Sequence, residues 1–157
     1  MSIRFEKILF PTDFSDLSIG ALSFARELAE TFDATIHCLY VVDEAYQYWS
    51  AMGPESIPVG PPSEDMIELG RTRMEEFRTE HLTGLKQEPV THVALGRPFS
   101  EIIGYAREKN VDLIVMATHG RGPIAHALLG STTERVVRKA QCAVLTVRSH
   151  DQDSDMS

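Results

Sequence analysis

The stretch VDLIVMATHGRGPIAHALLGSTTERVVRKAQCAVLTV, residues 111–147, decides the fold. Val111 to Ala117 is the most strand-like run in the chain, almost continuously apolar, as a strand covered on both faces requires. It gives way to a loop bearing Gly120, Gly122 and Gly130. The spacing then predicts a helix from Thr132 to Ala140 and a closing strand from Cys142 to Val147. Strand, glycine loop, helix and strand in that order read as one crossover unit of a parallel sheet.

The same alternation runs back to the N-terminus. Lys7 to Pro11 (KILFP) is a short apolar strand that ends in the turn-prone Pro11-Thr12-Asp13. Ser15 is placed to cap a helix in which Leu22, Ala25, Ala29 and Phe32 share one face through Thr31. Thr35 to Val42 (TIHCLYVV) reads as a buried strand ending at Asp43. From Glu44 to Pro62 come two tyrosines, Trp49 and four prolines, a long aromatic loop read either as a lid or partner contact, or as an excursion without a role. Ser63 caps a second helix, with Met66, Ile67, Met74 and Phe77 on its apolar side, to about Leu82. Thr91 to Leu95 is a strand closed by Gly96, and Pro98 suits the first turn of a helix from Phe99 to Lys109 that Asn110 ends. The order is βαβαβαβαβ, an α/β fold whose parallel sheet carries helices on both faces. Ligands of such sheets sit beyond the strand C-termini, where strand order reverses.

Composition narrows the classes. A chain of 157 residues with 43% hydrophobic content is enough for one core, so residues 1–148 are expected to form a single domain and 149–157 a disordered acidic tail. The net charge of −8 argues against a nucleic-acid partner, which needs clustered Lys and Arg. No apolar run approaches the roughly 20 residues that cross a bilayer, and the N-terminus leads straight into a strand, so no membrane association and a cytoplasmic location are expected. Cys38 and Cys142 lie in apolar, strand-like runs and are expected to be reduced and buried. The histidines show no zinc spacing: His37 and His92 fall in strands, His126 in the loop, and His81 and His150 at element ends.

The chemistry concentrates between Ala117 and Thr133. Gly120 and Gly122 allow φ > 0 and a close approach of main-chain N–H groups to an anion, and Gly130 is read in the same way. Ser131, Thr132, Thr133 and Glu134 spell a capping box, so a helix N-terminus with its partial positive charge opens there, flanked by hydroxyl donors. No Walker lysine follows the glycines, which argues against fast phosphoryl transfer. Arg121 and His119 are available to neutralise charge or assist a water, and Asp13 either recruits a divalent ion through phosphates or caps the first helix.

Gly120, nine residues and then Gly130-Ser131, after an apolar strand, is similar to the phosphate-loop signature of the universal stress protein family. The resemblance extends over nearly the whole chain, through KILFPTDFS, VDLIVMATHG and LLGSTTERVVRKAQCAVLTVR. It implies a doubly wound, five-stranded parallel sheet of order 3-2-1-4-5, like the adenine nucleotide alpha hydrolases, and a homodimer formed through the last strand, Cys142 to Val147. It further implies that Pro11, Thr12 and Asp13 meet adenine and ribose, with Asp13 accepting a hydroxyl hydrogen bond, and that Val41 contacts adenine. Ala117, Thr118, His119, Gly120, Arg121 and Gly122 would line ribose and phosphates, and Gly130, Ser131 and Thr132 would hold the phosphate chain. The ligand implied is ATP, with AMP or ADP as alternatives and Mg²⁺ as a companion. One position departs from the ATP-binding pattern, which has glycine where this chain has Ala117. The function expected is a nucleotide-responsive regulatory or stress-resistance protein rather than a dedicated enzyme, acting on a protein partner of unknown identity. The alternatives are a nucleotide-free dimer working through protein contacts and a slow ATPase.

Overall fold

The apolar runs become five parallel strands in a computed structural model that describes residues 2–43, 63–119 and 129–148. Along the chain these are β1 (Lys7–Thr12), α1 (Asp16–Phe32), β2 (Thr35–Asp43), α2 (Ser63–His81), β3 (Val90–Gly96), α3 (Pro98–Glu108), β4 (Leu113–Ala117), α4 (Ser131–Lys139) and β5 (Ala143–Val147). The sheet order is β3-β2-β1-β4-β5, as the family resemblance implies. Glu44 to Pro62 and residues 149–157 lie outside the described residues, so the lid and tail expectations are not addressed.

β1 is central because both of its faces are apolar. Successive side chains on a strand point to opposite faces. Ile8 and Phe10 join Ala21, Leu22, Ala25 and Ala29 of α1 and Met74 and Phe77 of α2 in one core cluster. Leu9 joins Leu39, Ile114, Ile102, Tyr105 and Val136 in the other, under α3 and α4. Helices therefore cover both faces, and each fully buried aliphatic side chain contributes about 1.5–3 kcal/mol.

Helix ends follow local chemistry. Ser15 caps α1, its side chain accepting from the Ser18 amide at 3.3 Å, and α1 stops where Asp33 turns left-handed at φ 58°. Pro98 stands in the first turn of α3, and Asn110, at φ 54°, follows its end.

Most element ends fall within a residue of the sequence reading, and two strands start later than it places them. β4 starts at Leu113, because Val111 is still tied by its amide to the Ala106 carbonyl and the Asp112 carboxylate takes the amides of Glu6 and Lys7 at 2.8 and 3.0 Å. β5 starts at Ala143, which leaves Cys142 half-buried ahead of the strand, whereas Cys38 is buried within β2. The Cys142 side of the expectation of burial is thus only half met.

Candidate functional site

Strand order reverses between β1 and β4, and there the ladder is short. β1 pairs with β2 from Lys7↔Thr35 to Thr12↔Tyr40, and β4 pairs with β5 as far as Ala117↔Val147. Between β1 and β4, however, the register contains only Ile8↔Leu113 and Leu9↔Ile114. No hydrogen-bonded pair joins the two strands beyond Leu9 and Ile114, and Pro11, which has no amide to donate, lies past the last pair. A proline near the end of a central strand is tolerated where no ladder needs its donor.

The turn after β1 is tightly bonded. Thr12 is buried, and its hydroxyl oxygen accepts from the Phe14 amide at 2.9 Å and from the Ser18 hydroxyl at 2.6 Å. The side chain thus serves the turn into α1. Asp13 accepts from the Ser15 amide at 2.9 Å through Oδ1, so it braces the residue that caps α1 instead of capping the helix itself. Val41, near the end of β2, packs against the α3 and α4 side of the sheet, the side that Leu9 also faces. By strand alternation Pro11 shares that side.

The end of β4 is joined to the start of α4. The Thr118 amide donates to the Val147 carbonyl at 3.0 Å, and the Thr118 carbonyl accepts from the Gly130 amide at 2.7 Å. The Thr133 hydroxyl donates to the Ala117 carbonyl at 2.9 Å, which clamps the first turn of α4 onto the strand. The half-buried His119 sits with Nδ1 3.2 Å from the Thr118 hydroxyl.

This arrangement corrects two expectations. The N-cap of α4 is Gly130, not Ser131, and no side chain caps it. The capping box does not form because Ser131 already lies inside the helix, the Glu134 amide donates to the Gly130 carbonyl, and the Glu134 carboxylate pairs with Arg138 at 2.9 Å. Gly130 also has φ −66° and ψ 160°, an ordinary extended conformation, so its backbone does not need glycine, and its amide is already spent on Thr118. The intrahelical bonds start with Glu134 N–H to the Gly130 carbonyl, which leaves the amides of Ser131, Thr132 and Thr133 without an intrahelical acceptor. The bonds of Gly130 and Thr133 hold this helix start, with its dipole, against the end of β4.

Residues 11–13, 41, 117–119 and 130–132 thus stand at the C-terminal edge of β1, β2 and β4, while Gly120, Arg121 and Gly122 lie outside the described residues. Ala117 is not among the positive-φ positions and packs against the α1-side cluster, so the departure from glycine carries no backbone strain. Sequence reading missed Phe14, which turns left-handed at φ 65°. It also missed the early end of the β1–β4 ladder, although Pro11 signalled it.

Burial shifts the titratable side chains of His37, Cys38 and Cys142. His37 Nδ1 lies 2.7 Å from the Tyr105 hydroxyl, and burial, aided by the ammonium groups of Lys7 and Lys109, holds its imidazole below the usual range. Burial pushes both the Cys38 and the Cys142 thiols up. Among the described residues no three His, Cys, Asp or Glu side chains gather as a cation site would require.

The model of the universal stress protein family matches residues 4–148. The chain belongs to the universal stress protein family. Universal stress protein MJ0531 of Methanocaldococcus jannaschii is 36% identical over 151 residues, spanning 92% of this chain and 82% of that protein. Among solved structures, MJ0577 of the same organism superposes with a TM-score of 0.78 at 28% identity, covering 95% of this chain and 99% of that one. UspA of Lactobacillus plantarum gives a TM-score of 0.73 at 29% identity, covering 94% and 100%. A universal stress protein crystallised in complex with cAMP shares the fold at 20% identity and a TM-score of 0.60, covering 93% and 98%.

Proposed function

We propose that this universal stress protein binds an adenine nucleotide, ATP before ADP or AMP, at the C-terminal edge of β1 and β4 beyond their last pair, and that occupancy alters what it presents to a protein partner in the cell's stress response. The observation that carries the reading is an α4 N-terminus that no side chain caps, held against the end of β4 at the strand-order reversal, where the β1–β4 ladder has run out after two pairs. Open α/β sheets bind ligands at such reversals, and helix N-termini attract phosphates. The likeness to a protein crystallised with cAMP supports the fold's capacity for such ligands and no more.

In this reading Pro11, Asp13 and Val41 meet adenine and ribose, Thr118 and His119 flank the ribose, and Ser131 and Thr132 give amides and hydroxyls to phosphate. Gly120, Arg121 and Gly122 take their phosphate roles from the sequence motif alone. With no acidic cluster among the described residues, Mg²⁺ would draw its ligands mainly from phosphate and water, as that ion commonly does. A homodimer through the outer edge of β5 and a cytoplasmic location belong to the same proposal. Its support is that β5 ends the sheet with Val144 and Leu145 only half-buried, and sheet edges invite pairing.

The test is titration of freshly purified protein with ATP, after mass spectrometry of a denatured sample for carried nucleotide. Gly130→Val should fold, because its φ and ψ suit any residue, yet bind ATP at least about tenfold more weakly as the side chain intrudes on the phosphates. Empty protein with a flat titration would favour the nucleotide-free dimer.

A further inference from the structure

Three non-glycine residues among those described have positive φ: Phe14, Asp33 and Asn110. Asp33 caps the end of α1 and Asn110 follows the end of α3, where short polar side chains adopt this conformation readily. Phe14 has neither excuse. It is a bulky aromatic residue between a strand and a helix N-cap, and a left-handed backbone there persists only if the surroundings enforce it.

The surroundings are specific. The Phe14 ring lies 4.5 Å from Tyr40 of β2 and 5.5 Å from Phe77 of α2, between ring centroids. The Arg73 guanidinium of α2 sits over the same ring, 5.0 Å from its centroid. The Phe14 amide donates to Thr12, whose hydroxyl oxygen also accepts from Ser18. Asp13 is therefore held between two anchored neighbours, with Ser15 fixing one carboxylate oxygen.

We infer that Phe14 and Arg73 form a latch that positions Asp13. Burial of the Phe14 ring against Tyr40 and Phe77, closed by the Arg73 cation, offsets the unfavourable backbone and sets the direction in which Asp13 leaves the end of β1. Neither residue touches the ligand. Their effect on recognition is confined to the hydroxyl-bearing part of a ribose, and in that respect the inference rests on the nucleotide reading above.

The experiment compares ATP with 2′,3′-dideoxy-ATP by calorimetry in the native chain, Phe14→Gly and Arg73→Met. A charged hydrogen bond donated by a ribose hydroxyl to Asp13 should favour ATP about tenfold or more in the native chain. The preference should fall to within about twofold in Phe14→Gly and by about threefold in Arg73→Met, with dideoxy-ATP affinity nearly unchanged. An unaltered preference, or equal weakening of both nucleotides, would overturn the inference.

Amide hydrogen exchange decides the latch without a nucleotide. In Arg73→Met the Ser15 and Ser18 amides should lose about tenfold in protection while those of α4 keep theirs. Unchanged protection at Ser15 and Ser18 would overturn the latch. If the native chain binds neither nucleotide, the nucleotide reading fails and the exchange result alone judges the latch.

Discussion

Thr133→Val probes the clamp that holds the start of α4 against the end of β4. Thr133 is only 4% exposed, and its hydroxyl donates to the Ala117 carbonyl at 2.9 Å. Valine keeps the shape but removes the donor, leaving a buried acceptor one bond short at a cost of about 1–3 kcal/mol. The added methyl group returns up to about 0.8 kcal/mol by burial. The net loss should be about 1–2 kcal/mol, which is roughly 0.5–1 M in urea midpoint at a slope near 2 kcal/mol/M. Thr133→Ser, which keeps the hydroxyl and gives up one methyl group, should lose only about 0.8 kcal/mol. Urea unfolding followed by far-ultraviolet circular dichroism measures both. A valine variant as stable as the serine variant would refute the clamp.

Two further expectations concern internal groups. Cys38 is 1% exposed and Cys142 half-buried, so a thiol reagent applied to native protein should modify Cys142 slowly and Cys38 only after unfolding; equal reactivity would contradict the placement of β2. His37 is held below its ordinary value in the fold, so below about pH 6.5 the unfolded chain binds a proton that the native chain resists. Stability should therefore fall as pH drops through that window and recover above it. His37→Phe should lose less between about pH 7.5 and pH 5.5 than the native chain does, and equal losses would remove His37 from the account.

Much of the fold was legible because buried parallel strands announce themselves as unbroken apolar runs, as in TIHCLYVV and VDLIVMA. Strand order was not legible from those runs, since both faces of β1 are equally apolar; it came from the resemblance of the glycine loop. The errors share one cause. Asp112 was read into β4, and Ser131 into a capping box, from local pattern alone. Asp112 is claimed by the amides of Glu6 and Lys7, far along the chain, while Ser131 falls one residue inside the helix that Gly130 caps and Glu134 turns forward to Arg138. Phe14 could not have been foreseen, because its backbone depends on Tyr40, Arg73 and Phe77. Pro11 was the one unread signal, a proline just past the last hydrogen-bonded pair between β1 and β4.

The most direct measurement is an amide-resonance titration of the isotopically labelled chain with ATP. The amides of Ser131, Thr132 and Thr133 should shift together with those of Asp13 and Thr118, saturating on one curve, while Lys86 to Glu88, at the opposite end of the sheet, stay in place. Saturating ATP that leaves residues 131–133 unmoved would mean that the first turn of α4 holds no phosphate.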